Sequence, residues 1–185
     1  MNVSYFLTVL IGVTRILRWR SNAFDVFDNT ARGFWTSFWA ALIALPLWCY
    51  VVADQMGQQI HASPSRYFAF QAIGYAMSWL AYPLVMVRIC DFLDRWPRYY
   101  TYMVAYNWFQ LAQSLAWIPT IILMGIGAPR GLVAIVWLTT HGVLITYAWF
   151  IARRGLQVDA GAASALVVID LLLGLLIDRL AESMA

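Results

Sequence analysis

Five predominantly apolar stretches, each close to helix length for a bilayer, set the first limit on how this chain folds. They cover residues 33–53, 67–87, 99–125, 131–152 and 160–180, and polar connections such as "DQMGQQIHASPSR" and "RRGLQVD" separate them. A hydrocarbon core about 30 Å thick is crossed by about 20 apolar residues in a helix. A helix also satisfies its own backbone polar groups, which lipid cannot do. Charged residues make up only 11% of the 185, against about 25% in soluble domains, so the stretches read as membrane spans. The expected fold is all-α. It has an integral membrane bundle of five transmembrane helices over residues 33–185, and residues 1–32 precede it as an amphipathic interfacial helix and linker.

Arginine placement gives the orientation. Arg15, Arg18, Arg20 and Arg32 precede the first span, Arg88, Arg95 and Arg98 fall around the second connection, and Arg153 and Arg154 in the fourth. The alternate side receives Arg66, Arg130 and Arg179. This bias predicts a cytoplasmic N-terminus and a periplasmic C-terminus, and an odd number of spans requires opposite ends. Trp35, Tyr67, Trp96, Tyr99, Tyr100 and Trp149 near span ends fit an interfacial belt. All twelve basic residues are arginine. Guanidinium grips oxyanions, but the lack of lysine beside abundant alanine also fits codon bias in a high-G+C genome. A bacterial inner membrane is the expected location. Scattered arginines form no patch for nucleic acid.

The segment "VSYFLTVLIGVTRILRWR" places its charges after its apolar run, the reverse of a secretory signal. On a helical wheel Ser4, Thr8, Gly12, Arg15 and Arg18 share a stripe opposite Phe6, Leu10, Val13 and Leu17. The expectation is a helix in the cytoplasmic interface, with Arg15, Arg18 and Arg20 at anionic headgroups. The alternative is a sixth, short span, although its apolar run covers only residues 3–14. Asp28 with Arg32 and Asp91 with Arg95 are i,i+4 partners, worth a few tenths of a kcal/mol each at a surface.

Asp170 is the residue that fits lipid worst. It sits mid-way along "ALVVIDLLLGLLID", where an aspartate costs about 2.5–3.5 kcal/mol on insertion scales. It survives by facing the bundle, by pairing or by staying protonated. Ala163, Val167, Gly174 and Ile177 share its helical face, and small residues admit a neighbouring helix. His141, Gln110, Gln113 and Ser78 fall at similar depth in other spans, with Asn107, Gln110 and Ser114 expected along one face of the third. Two readings of this polar layer stand open: a proton or solute site, with Pro46, Pro83 and Pro119 interrupting spans, or hydrogen-bonded glue between helices.

Other chemistry is poorly supported. Cys49 and Cys90 are too few for a zinc site or disulfide framework. No HExxH, CxxC or GxGxxG pattern occurs, and no Ser/His/Asp set is assigned by motif. A two-histidine haem would need His61 in an external loop and His141 at mid-depth to meet. No enzyme activity, metal or cofactor is expected. The aromatic load could line a quinone or lipid crevice, but such a load more often serves packing and interfacial anchoring.

The entry into the first span, "AFDVFDNTARGFWTSFWAALIALP", together with five spans and an amphipathic lead, resembles bacterial members of the Ypt-interacting-protein (Yip) family. The resemblance is one of topology and texture. It implies a multi-pass protein with an organising or transport role. Eukaryotic members' link to small GTPases goes with a long cytoplasmic region that has no counterpart before residue 33, so that partner is not expected. The leading expectation is a non-enzymatic membrane-organising or accessory protein, with the bilayer, other membrane subunits or a second copy as partners. The rival is a small transporter or proton-coupled permease around Asp170 and His141.

Overall fold

The computed structural model describes residues 3–58 and 63–184, so the expectation for His61 lies outside the described residues. Among the described residues every regular element is helical. The order is α1 (Val3–Leu17), a 3₁₀ turn (Ser21–Val26), α2 (Ala31–Ser37), α3 (Trp39–Gln58), α4 (Pro64–Phe92), a 3₁₀ turn (Trp96–Arg98), α5 (Tyr99–Ala116), α6 (Ile118–Gly125), α7 (Arg130–Gly155) and α8 (Ala160–Met184). Four stretches are long and apolar enough to cross a membrane: Ala31–Gly57, which runs through α2 and α3, then Pro64–Phe92, Arg130–Gly155 and Ala160–Met184. Their outer faces are apolar: Leu84, Ile135 and Leu172 are 60–68% exposed. A water-soluble domain rarely exposes so continuous an apolar surface, whereas lipid favours it.

The expected third span, 99–125, is not one helix. α5 stops at Ala116, Trp117 makes a turn, and α6 begins with Pro119 in its first turn. Proline lacks the N–H that would continue the ladder but fits the first turn of a new helix. α5 is also the most enclosed element, with every residue from Thr101 to Phe109 buried. It packs against α1, α2, α3, α4 and α7. Its polar residues therefore meet protein rather than lipid, which explains how a helix this polar lies inside an apolar bundle.

The dense core surrounds the first half of α5. Tyr82, Met86 and Cys90 come from α4, Phe24 from the first 3₁₀ turn and Phe27 from just after it, Phe150 and Ile151 from α7 and Leu156 from just after it. Arg15, Arg18, Arg20, Arg32, Arg88, Arg95, Arg98, Arg153 and Arg154 sit at the helix ends and turns around this half. Three helices end here on a left-handed residue: Trp19 (φ 57°) after α1, Asp94 (54°) after α4 and Gln157 (55°) after α7. In each, the next N–H reaches back to the carbonyl five residues earlier, as Arg20 does to Arg15, Arg95 to Cys90 and Val158 to Arg153. This closes otherwise orphaned carbonyls. At the start of α8 the N–H of Ala162 donates to Asp159 Oδ1 at 2.9 Å. That bond, with a second from Gly161, holds the Asp159 carboxyl below the usual range.

Two surface expectations are corrected. Neither Asp28–Arg32 nor Asp91–Arg95 forms an ion pair; among the described residues the pair formed is Arg179–Glu182. Asp28 instead accepts from the N–H and hydroxyl of Thr30, which caps α2. The wheel for α1 is also turned. Gly12, expected on the polar stripe, is buried beneath the Phe27 ring, and Val9 and Ile16 are buried with it. Leu7, Leu10, Ile11 and Leu17 are exposed, and Thr8 and Thr14 bond back to the carbonyls of Ser4 and Leu10. α1 also runs along the bundle's flank. Phe6 and Val9 share a crevice with Leu47 and Leu115, while the Leu17 carbonyl accepts from the Tyr147 hydroxyl near the end of α7.

Candidate functional site: a polar cavity between four helices

α8 packs on α4 and α7 and stands off α5, and the gap is a cavity of about 300 Å³. Asp170, His141, Gln110, Gln113 and Ser78 all line it, with Tyr82, Tyr106 and Asp178. Five residues expected at similar depth are thus brought to one place from α4, α5, α7 and α8. The cavity follows α8 from Asp170 to the exposed Asp178, about 12 Å at the rise of a helix. Its exposed lining residues are Ser78, Leu171, Leu175 and Asp178, so it is open along the α4–α8 flank as well as near the C-terminal end of α8.

Asp170 is not paired with His141 or Gln113. The Tyr106 hydroxyl donates to Asp170 Oδ1 at 2.7 Å, and Gln110 Nε2 donates to that same hydroxyl at 2.6 Å. Gln110 and Tyr106 are i,i+4 neighbours on α5, so the chain Gln110–Tyr106–Asp170 is locally templated at one end. The Tyr82 ring stacks on Tyr106 with centroids 4.7 Å apart, and its hydroxyl lies 2.7 Å from that of Tyr102. Tyr82 and Tyr106 line the cavity toward the dense core, with Tyr102 behind them. Their signal was present in sequence: Tyr99, Tyr102 and Tyr106 recur at helical spacing, a pattern that an interfacial belt does not require.

His141 lines the cavity while its ring is held between Trp117 (4.8 Å) and Trp137 (4.2 Å). Its Nδ1 is buried with no hydrogen-bond partner. Ser78 bonds back to the Tyr75 carbonyl at 2.8 Å. On α8, Ala163, Val167 and Ile177 are buried as expected of the Asp170 face. Gly174, however, borders open cavity, and the close approach of α4 to α8 occurs at Gly74 and Ala181.

Two expected members belong elsewhere. Asn107 Nδ2 donates to Ser37 Oγ at 2.8 Å, tying α5 to α2 in the core. Ser114 donates to the Gln110 carbonyl at 2.9 Å and faces crevices beside α3. At 100° per residue Asn107 and Gln110 differ by about 60°, enough at a fully surrounded helix to change neighbours. Of the three arginines assigned to headgroups, Arg18 and Arg20 are exposed, and Arg15 Nη1 donates to the Asn22 carbonyl at 3.3 Å.

Two carboxylates and no arginine line the cavity. Its field is negative, so it favours a proton or a small cation over an anion. Asp170 offers a carboxylate whose remaining acceptor capacity is unused by Tyr106, whereas His141 Nδ1 is closed off from open space. Among the described residues no three His, Cys, Asp or Glu side chains gather as a metal site would need. An all-helical fold with apolar outer faces and this cavity defines a multi-helix membrane protein. No protein-family model, curated protein or solved structure matches the chain.

Proposed function

We propose that this chain is a five-span inner-membrane protein that takes up a proton or small cationic solute at Asp170, as a small proton-coupled permease does. Its N-terminus is cytoplasmic and its C-terminus periplasmic. α5 and α6 together form the third span, and α1 dips from the cytoplasmic interface along the bundle. The observation that carries the reading is the polar cavity running from Asp170 to Asp178. Dry packing around Asp170 would have suited a purely structural carboxyl, since a glue residue needs no open volume beside it.

Infrared difference titration in nanodiscs tests the site, with Asp170→Asn identifying the band. The expected result is a carboxyl band that follows bulk pH and exchanges in D₂O. A band indifferent to both would remove the solute-site reading. Orientation has its own check, in a background with Cys49 and Cys90 replaced by alanine. Ser21→Cys is expected to react with a membrane-impermeant maleimide only from the cytoplasmic side, and Ser183→Cys only from the periplasmic side. Labelling of both from one side would mean an even number of spans.

The organising or accessory reading is favoured by one separate observation. None of the nine arginines around the dense half forms an ion pair among the described residues; Arg15 bonds to the Asn22 carbonyl and Arg153 lies over the Trp149 ring, and the group as a whole suits anionic headgroups or a partner's acidic surface. Five spans and an amphipathic lead are also what liken this proposal to the Yip family.

A further inference from the structure

The Asp170 cavity is larger than a proton or a bare cation needs. Its volume of about 300 Å³ is far above the share of one water in the liquid, about 30 Å³. It meets the lower edge of the range for small organic ligands, about 300–1,000 Å³. The lining is also divided in character. Around Asp170 it is polar, with Tyr106, Gln110 and Gln113. Along α8 beyond Asp170 the wall is Leu171, Leu173, Gly174, Leu175 and Ile177, until Asp178 at the exposed end.

The polar part is rich in acceptors that nothing in the protein uses. Asp170 is half-buried; Tyr106 donates to its Oδ1, while Oδ2 keeps open surface and has no hydrogen-bond partner. Gln113 is also without a hydrogen-bond partner among the described residues. Gln110 spends an N–H on the Tyr106 hydroxyl, which leaves its amide oxygen to accept. A carboxylate and two amide oxygens suit the N–H donors of an ammonium group, and charge-assisted bonds offset its loss of water. A neutral solute would leave Asp170 without a counter-charge, and an inorganic cation would leave the leucine wall facing water. The exposed lining residues Ser78, Leu171 and Leu175 open the cavity along the α4–α8 flank, where a molecule with an apolar body enters from the bilayer. An ethanolamine headgroup shares the ammonium but brings a phosphate, which two carboxylates and no arginine would repel.

We infer that the solute of this cavity is a small protonated amine with an apolar body, an inference that rests on the solute-site reading of Asp170 above. Its ammonium group donates to Asp170 Oδ2 and to the amide oxygens of Gln110 and Gln113, and its body lies against α8 at Gly174. Glycine keeps that room open: an added Cβ at Gly174 meets nothing within 4 Å.

The test uses the full chain in nanodiscs of phosphatidylcholine and phosphatidylglycerol, neither of which carries a primary amine. Tritiated 2-phenylethylammonium is the probe, measured by equilibrium dialysis with empty discs subtracted. Saturable binding is expected, and Asp170→Asn should weaken it about tenfold or more. Gly174→Leu, which fills the space for the body, should weaken it about as much. Excess 2-phenylethanol, the neutral analogue, and excess sodium should not displace the probe. Displacement by either would overturn the inference, the first because the charge is idle and the second because the body is. Binding unchanged in Asp170→Asn would overturn it too. Displacement on adding phosphatidylethanolamine to the discs would make a lipid headgroup the occupant and overturn the solute. If no saturable binding occurs while the Asp170 infrared band follows pH, the amine falls and the proton site stands; if the band is also indifferent, both fall.

Discussion

Proteoliposomes carrying Asp170→Asn are expected to lose proton movement on the order of a hundredfold, in keeping with removal of a proton-transfer group, while the protein stays folded. Asparagine keeps an oxygen where Tyr106 donates, so the hydrogen-bonded contact between α5 and α8 survives and only the exchangeable proton is lost. A pH-sensitive dye trapped inside the vesicles reads the flux under an imposed potassium diffusion potential. Tyr106→Phe supplies the contrast. It strips the hydroxyl shared by Gln110 and Asp170 and leaves two polar groups without partners, a loss of about 1–3 kcal/mol in stability. If Asp170→Asn conducts like the unsubstituted protein, Asp170 is a structural fixture and the organising role takes precedence.

Gly33→Ala should be the more damaging of two classes of glycine substitution. A methyl group there would overlap the backbone carbonyl oxygen of Asp28, which cannot swing aside as a flexible side chain would. Asp28, Thr30 and Gly33 form the cap of α2, and the next residue, Phe34, packs on Tyr99 with centroids 5.7 Å apart. Relieving the overlap must shift the cap and that ring together, at about 1–3 kcal/mol. The expected readout is a lowered Tm in detergent. Gly142→Ala in α7 is the control. Its added methyl meets nothing within 4 Å, and replacing a mid-helix glycine by alanine gains about 0.5–1 kcal/mol. Equal Tm values for the two variants would show that the Asp28–Gly33 turn adapts freely.

Much of this site was legible because charged and amide residues are rare in apolar helices. Asp170, His141, Gln110, Gln113 and Ser78 stood out by depth alone, and depth is fixed by counting from span ends. Partner choice was not legible, because it depends on rotation about each helix. Tyr106 escaped notice since tyrosine near a membrane is ordinarily interfacial. Asn107 and Gln110 looked like neighbours until α5 proved to be enclosed on every side. The α1 surface was misjudged for a related reason. A wheel ranks faces by polarity, but Gly12 was buried for its size, beneath Phe27. The interruption at Trp117 had its marker in Pro119, which read as equally compatible with a kinked span.

The enclosure of α5 bears on how the protein is made. A segment with Thr101, Asn107, Gln110 and Gln113 along its length gains little from lipid when it leaves the translocation machinery alone. Its favourable surroundings are α3 and α4, synthesised before it, and α7, synthesised after it. Nascent α5 must therefore be retained beside its predecessors until α7 emerges to close the ring. A chain stopped after α6 would present the same polar flank to lipid, the kind of surface that membrane proteases and insertion chaperones recognise.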